Sequence, residues 1–122
     1  MDAQYFGKAA ENYAVYYLKR KQFKILKRNY RYLKAEVDII ALHEKTLIIV
    51  EVKGRTSTLF GDPETFITKK KIALLTLAAN QFVQENELDV SVRFDIVAVL
   101  RLDGKWEVNH IENAFYAFDG NS

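Results

Sequence analysis

Two carboxylates and an ammonium stand within the most apolar part of this chain. In VDIIALHEKTLIIVEVKGR, Val37 to Arg55, Asp38 opens one Ile-rich run, and Glu51 and Lys53 close another. An unpaired charge in a poor solvent is costly, so something must offset these acids if the runs are buried. The runs read as two strands, residues 35–43 and 46–53, joined by the polar turn HEKT. An even loop centred on Glu44 and Lys45 sets Leu42 opposite Leu47, Asp38 opposite Glu51 and Glu36 opposite Lys53. Strand side chains alternate, so Glu36, Asp38, Glu51 and Lys53 are expected on one sheet face. Directly opposed acids repel. A shared proton, the cation of Lys53 or a bound metal ion would each relieve that repulsion.

The metal reading suits the residue types. Mg²⁺ prefers oxygen ligands and usually keeps several waters, with one or two carboxylates from the protein. Asp38 and Glu51 supply that number, with Mn²⁺ as a substitute ion. Lys53, two residues beyond Glu51, would hold a water or a developing phosphate charge. Together these are the parts of metal-assisted phosphodiester hydrolysis. Glu-Val-Lys is also an ordinary strand ending, and a structural ion pair is the competing reading; a one-residue bulge would break the expected register. Glu11 lies on a helical stripe with Gly7, Ala14 and Leu18. It either completes the site or marks the edge of an exposed face.

Cations suited to phosphate contact lie on both sides of these acids. Lys24, Lys27, Arg28, Arg31 and Lys34 interleave with Tyr30 and Tyr32, a pattern suited to phosphate contact and stacking or to a solvated strand edge. Lys69, Lys70 and Lys71 follow Thr68, which reads as a helix cap. Three cations in a first helical turn oppose the macrodipole, so an anion is expected there unless the placement is chance. His43 and His110 are isolated in sequence and are expected at the surface.

The elements that must position these groups follow from periodicity. Phe6, Ala10, Tyr13 and Tyr17 mark a helix over residues 5–20, residues 24–33 an extended basic segment, and Ile72, Leu75, Ala79, Phe82 and Val83 the buried face of a second helix. Asp62 and Pro63 resemble an earlier cap and first turn. Residues 91–102 form a further strand that pairs with residues 106–111 across Asp103-Gly104. The order α-β-β-β-α-β-β is that of an α/β fold, a mixed β-sheet flanked by helices.

The 122 residues are expected to form a single domain, 1–122. At 49% hydrophobic and 28% charged, the composition is that of a soluble globular protein. Absence of cysteine excludes disulfides and thiolate zinc sites. No apolar run approaches membrane-spanning length, so a cytoplasmic protein with no membrane partner is expected. The net charge of +2 conceals a basic front: residues 1–34 carry nine Lys/Arg against Asp2 and Glu11. A polarised surface, rather than scattered solvated charge, is one reading of that imbalance.

The segments EVDIIALHEKTLIIVEVKGR, FGDPETFITKKK and RFDIVAV together resemble the YraN-like family, small bacterial proteins with a restriction-endonuclease-like fold. That family is similar to the archaeal Holliday-junction resolvases and falls in the broad PD-(D/E)XK nuclease superfamily. The resemblance spans about Gly7 to Val99. It implies catalytic roles for Asp38, Glu51 and Lys53, with Glu11 as the acid of the first helix, and places Arg55 and Lys71 at positions usually basic. Ala10 and Ala35 depart from the glycines usual there; neither departure removes a ligand. The expected function is a Mg²⁺-dependent endonuclease acting on DNA, including branched or structured DNA, with metal on Asp38 and Glu51. Backbone contacts are expected from Arg55, Lys69, Lys70, Lys71, Lys27, Arg28 and Arg31. Related nucleases often dimerise, so a homodimer is compatible with the resemblance. A nucleic-acid-binding module without turnover, and a protein-interaction domain with a structural ion-pair cluster, are the alternatives.

Overall fold

In the computed structural model, residues 3–56 and 67–118 are described. The expected cap at Asp62-Pro63 and the FGDPET segment lie outside them. Helix α1 (Ala3–Arg20) forms because Ala10, Ala14, Val15 and Leu18 repeat at helical spacing and are all buried. It ends in a Schellman turn. Phe23 N–H donates to Leu18 O at 3.0 Å and Gln22 N–H to Lys19 O at 3.0 Å, with Gln22 in the left-handed region at φ 70°.

Among the described residues the first three strands form an antiparallel meander and the last two a hairpin. Strand β1 (Lys24–Tyr32) runs antiparallel to β2 (Ala35–His43), which turns at Glu44 (φ 58°) into antiparallel β3 (Thr46–Arg55). Helix α2 (Lys69–Glu85) then crosses over so that β4 (Ser91–Leu102) lies parallel to β3. Asp103 (φ 50°) and Gly104 (φ 75°) make the tight turn into β5 (Lys105–Phe115). The two positive angles match the twist a two-residue hairpin needs. Strand β5 begins one residue earlier and runs four residues further than expected, taking in Glu112 to Phe115.

The sheet order is β1-β2-β3-β4-β5, a mixed sheet with one helix on each face, which is the expected α/β layout. On one face α1 packs through Ala14 and Leu18 on Ile39, Ile48, Val50, Val97 and Val99. On the other, Leu75, Ala78, Ala79 and Phe82 of α2 pack on Val37, Ile40, Leu47, Ile49 and Phe94. Central strands covered on both faces read as continuous Ile/Val runs for this reason. Among the described residues no helix is long and apolar enough to cross a membrane.

Candidate functional site

The expected hairpin register is present from His43↔Thr46 through Leu42↔Leu47 to Ile39↔Val50. There the ladder stops, one pair short of Asp38 and Glu51. Beyond it the Asp38 side chain replaces a backbone partner: its Oδ2 accepts the Val52 N–H at 2.8 Å. Strand β3 does not fray, because its other edge stays paired with β4 through Arg55↔Leu100.

The alternation of β2 also slips here. Val37 and Ile40 both enter the α2 core, whereas Ile39 and Ala41 enter the α1 core. A regular strand would place Val37 with Ile39. On β1, Asn29 stands at the same level with φ 53°, between the pairs Arg28↔Ile39 and Tyr30↔Val37. This distortion removes Glu36 from the expected shared face. Glu36 instead faces Arg31 at 3.6 Å on the exposed part of the β1–β2 pair, and Lys53 turns to Glu51.

Glu51 is the most buried member of the site, its side chain 6% exposed. Its Oε1 has two cations, Lys53 Nζ at 3.7 Å and Lys71 Nζ at 3.5 Å. Its Oε2 is buried without a hydrogen-bond partner among the described residues. Asp38 responds to the same surroundings. Burial first, and then the charge of Glu51, push its carboxyl up to about 7, with the Val52 N–H and Lys71 opposing and Glu11 adding to the rise. Burial, more than like charge, disfavours the charged form of Asp38, and one oxygen of Glu51 is left without a donor among the described residues.

Lys71 reaches Glu51 because of α2. Thr68 caps that helix, its Oγ1 accepting the Lys71 N–H at 3.0 Å. The helix body packs on Leu47 and Ile49 of the same strand that carries Glu51. The anion anticipated near the three lysines thus includes an internal one, the Glu51 carboxylate. Lys69 and Lys70 are exposed. Arg55 is half-buried, with Nη1 donating to Gly54 O at 3.0 Å.

Glu11 is brought toward Asp38, but its Oε1 is already occupied. It accepts from Arg28 Nε at 3.1 Å, Arg28 Nη2 at 3.0 Å and Asn29 Nδ2 at 3.2 Å. Arg28 also donates to Asn12 at 2.6 Å. Lys27 and Arg31 are exposed along β1. Ala10 is buried against Gly54, where a Cβ on Gly54 would come within 3.1 Å of the Ala10 Cβ and 2.9 Å of Phe6 Cε1.

A second polar cluster contradicts the expectation that His110 is a surface residue. Its side chain is 3% exposed. Nε2 bonds to Asp95 Oδ2 at 2.7 Å, and Nδ1 pairs with the Tyr17 hydroxyl at 3.1 Å. Asp95, wholly buried, also accepts from Arg93 at 2.8 and 2.9 Å and from the Asn113 N–H at 3.0 Å. Burial alone would raise its pKa, but the bonds from His110, Arg93 and Asn113 outweigh burial and hold it below the ordinary value. The signal was Arg93-x-Asp95, two residues apart and therefore on one strand face. His43 stacks on Phe23 with centroids 4.4 Å apart and is half-buried.

Comparison with known proteins bears on this architecture. Residues 10–99, which include every element from α1 to β4 in whole or part, match the family described as uncharacterised protein family UPF0102. A UPF0102 protein of Christiangramia forsetii is 49% identical over 112 residues, covering 92% of this chain and 94% of its own. One from Flavobacterium psychrophilum is 46% identical with the same coverage, and one from Alkaliphilus oremlandii 39% identical over 89% of this chain and 96% of its own. The chain belongs to the UPF0102 family, the YraN-like family whose motifs its sequence carries.

Proposed function

We propose that this protein is a divalent-metal-dependent endonuclease acting on DNA, with Mg²⁺ as its ion and Mn²⁺ as a substitute. One observation carries the reading: Glu51 Oε2 is buried without a donor, beside an Asp38 whose carboxyl is pushed up to about 7. A buried carboxylate oxygen without a donor, next to a second carboxyl, suits a hard cation. Among the described residues no group of three or more His, Cys, Asp or Glu could hold a metal. A site of two carboxylates suits Mg²⁺, which retains waters and takes few protein ligands.

Asp38 and Glu51 would hold the ion, which supplies Lewis acidity and a more acidic water when bound. Lys53, already within 3.7 Å of Glu51 Oε1, would orient the attacking water and stabilise charge on the phosphate. Glu11 would assist through Arg28 and Asn29, whose backbone faces Asp38's level of the sheet. Arg55, Lys69, Lys70 and Lys71, with Lys27, Arg28 and Arg31 along β1, would hold the DNA backbone. Branched or otherwise structured DNA is the favoured substrate, a homodimer the favoured assembly for cutting two strands, and the cytoplasm the place of action.

A second reading rests on the two ion pairs of Glu51 with Lys53 and Lys71. Lysines that already neutralise one oxygen would suit a DNA-binding module of the same fold without turnover. The test is a panel of duplex, single-stranded and four-way-junction DNA incubated with Mg²⁺ or Mn²⁺, beside Lys53→Ala. The nuclease reading expects cleavage of at least one substrate and a loss of about a hundredfold in the variant. Salt-sensitive binding without cleavage of any substrate would establish the second reading instead.

A further inference from the structure

On the flank of α1 that faces β5, at the opposite edge of the sheet from β1, aromatic rings form a continuous line. Phe6 stacks on Trp106 with centroids 5.8 Å apart, Trp106 on Tyr13 at 5.6 Å, and Tyr13 leans on Tyr16 at 5.8 Å. Cations lie over the rings. The Arg101 guanidinium is 4.7 Å from the Trp106 centroid, that of Arg20 is 5.7 Å from Tyr16, and Lys21 Nζ is 5.5 Å from Tyr17. Among the described residues none of the three makes an ion pair with a carboxylate. The helix dipole accounts for cations at the end of α1 but not for Arg101, nor for the ring line they flank.

Tyr13, Tyr16, Tyr17, Arg20 and Lys21 line an open cleft of about 370 Å³. Tyr16 is 52% exposed, so ring surface is available there. The cleft is also braced from below. The Tyr17 hydroxyl is tied to His110, which is tied to the wholly buried Asp95, so one wall cannot rotate without breaking a buried network. An exposed ring, Tyr16, beside a braced one, Tyr17, and bordered by cations without carboxylate partners among the described residues, matches a polyanion that carries flat rings.

We propose that this cleft binds single-stranded nucleic acid, with a base stacked on the exposed Tyr16 and phosphates held by Arg20 and Lys21 and, beyond the cleft, by Arg101. A duplex is a poor match, because its base faces are covered by neighbouring bases. An acidic peptide would use the cations but not the rings. The site is separate from Asp38 and Glu51 and does not depend on whether they cut DNA.

The test is fluorescence anisotropy with a short labelled oligothymidylate, in EDTA so that cleavage plays no part. Base–aromatic stacking predicts that Tyr16→Ala weakens binding by about tenfold, while Tyr16→Phe keeps most of it. Arg20→Ala weakens binding and flattens its salt dependence. An abasic oligomer of equal length binds less tightly than oligothymidylate. Equal binding of the two oligomers, or undiminished binding by Tyr16→Ala, overturns the proposal. So does competition by poly-glutamate as strong as that by oligothymidylate, which would indicate an acidic protein partner. Tyr16 and Arg20 are exposed, and a melting curve for each variant checks that the fold is unchanged. Absence of cleavage in the DNA panel leaves this measurement intact, so the two readings fail separately.

Discussion

Replacing Asp38 by asparagine should make the metal-free protein more stable at pH 8 while removing its response to Mg²⁺. In the folded protein, burial and the neighbouring Glu51 charge raise this carboxyl from 3.8 to about 7. The folded state therefore holds a proton that the unfolded chain releases at much lower pH. Stability from this group is full in acid, falls as pH rises from about 4 to about 7, and stays low above that. The displacement corresponds to roughly 4 kcal/mol as a ceiling. Asparagine keeps an oxygen to accept the Val52 N–H but carries no charge to repel Glu51. Urea denaturation at pH 5 and pH 8 in EDTA measures the effect: the wild type should lose stability between the two, and Asp38→Asn should lose much less. Mg²⁺ at about a hundred times its Kd would then restore about 2.7 kcal/mol to the wild type at pH 8 and little to the variant. Parallel pH curves for the two proteins, or equal Mg²⁺ gains, would refute the electrostatic account of the site.

Two further substitutions probe its supports. Asp95→Asn should cost about 3–5 kcal/mol in a denaturant titration, because it leaves Arg93 and His110 without their buried anion. Asp95 is held below its ordinary pKa, so its contribution is present above about pH 4 and is lost on acidification through the folded value; the Asp95→Asn melt should accordingly be flatter in acid than that of the wild type. Gly54→Ala should destabilise by about 1–3 kcal/mol, since the new Cβ would meet Phe6 Cε1 at 2.9 Å and push α1, with Glu11, off the sheet. A variant as stable as the wild type would mean that Phe6 yields freely.

The element order was legible from local pattern. The Ile/Val runs, the helical stripes and the Asp103-Gly104 turn are each marked by residues close together in the chain. The turn at Glu44-Lys45 gave the hairpin register as far as Ile39↔Val50. Period-two alternation failed at Asp38, where no local signal marks the slip. The distortion involves Asn29 on another strand, and Asp38 accepts the Val52 N–H with its side chain in place of a ladder bond.

Long-range packing decided the rest. Local order alone brings Asp38, Glu51 and Lys53 near one another, because two adjacent strands and a short turn leave little freedom. Sequence pattern could not show that Lys71 completes the ion pairing of Glu51, since that depends on where α2 docks. Nor could it show that His110 is buried on Asp95 or that Tyr17 joins them, a contact between residues 93 apart in the chain. Contacts of that separation form only when the sheet has brought α1 and β5 together, and their energy depends on burial, a property of the whole fold rather than of any segment.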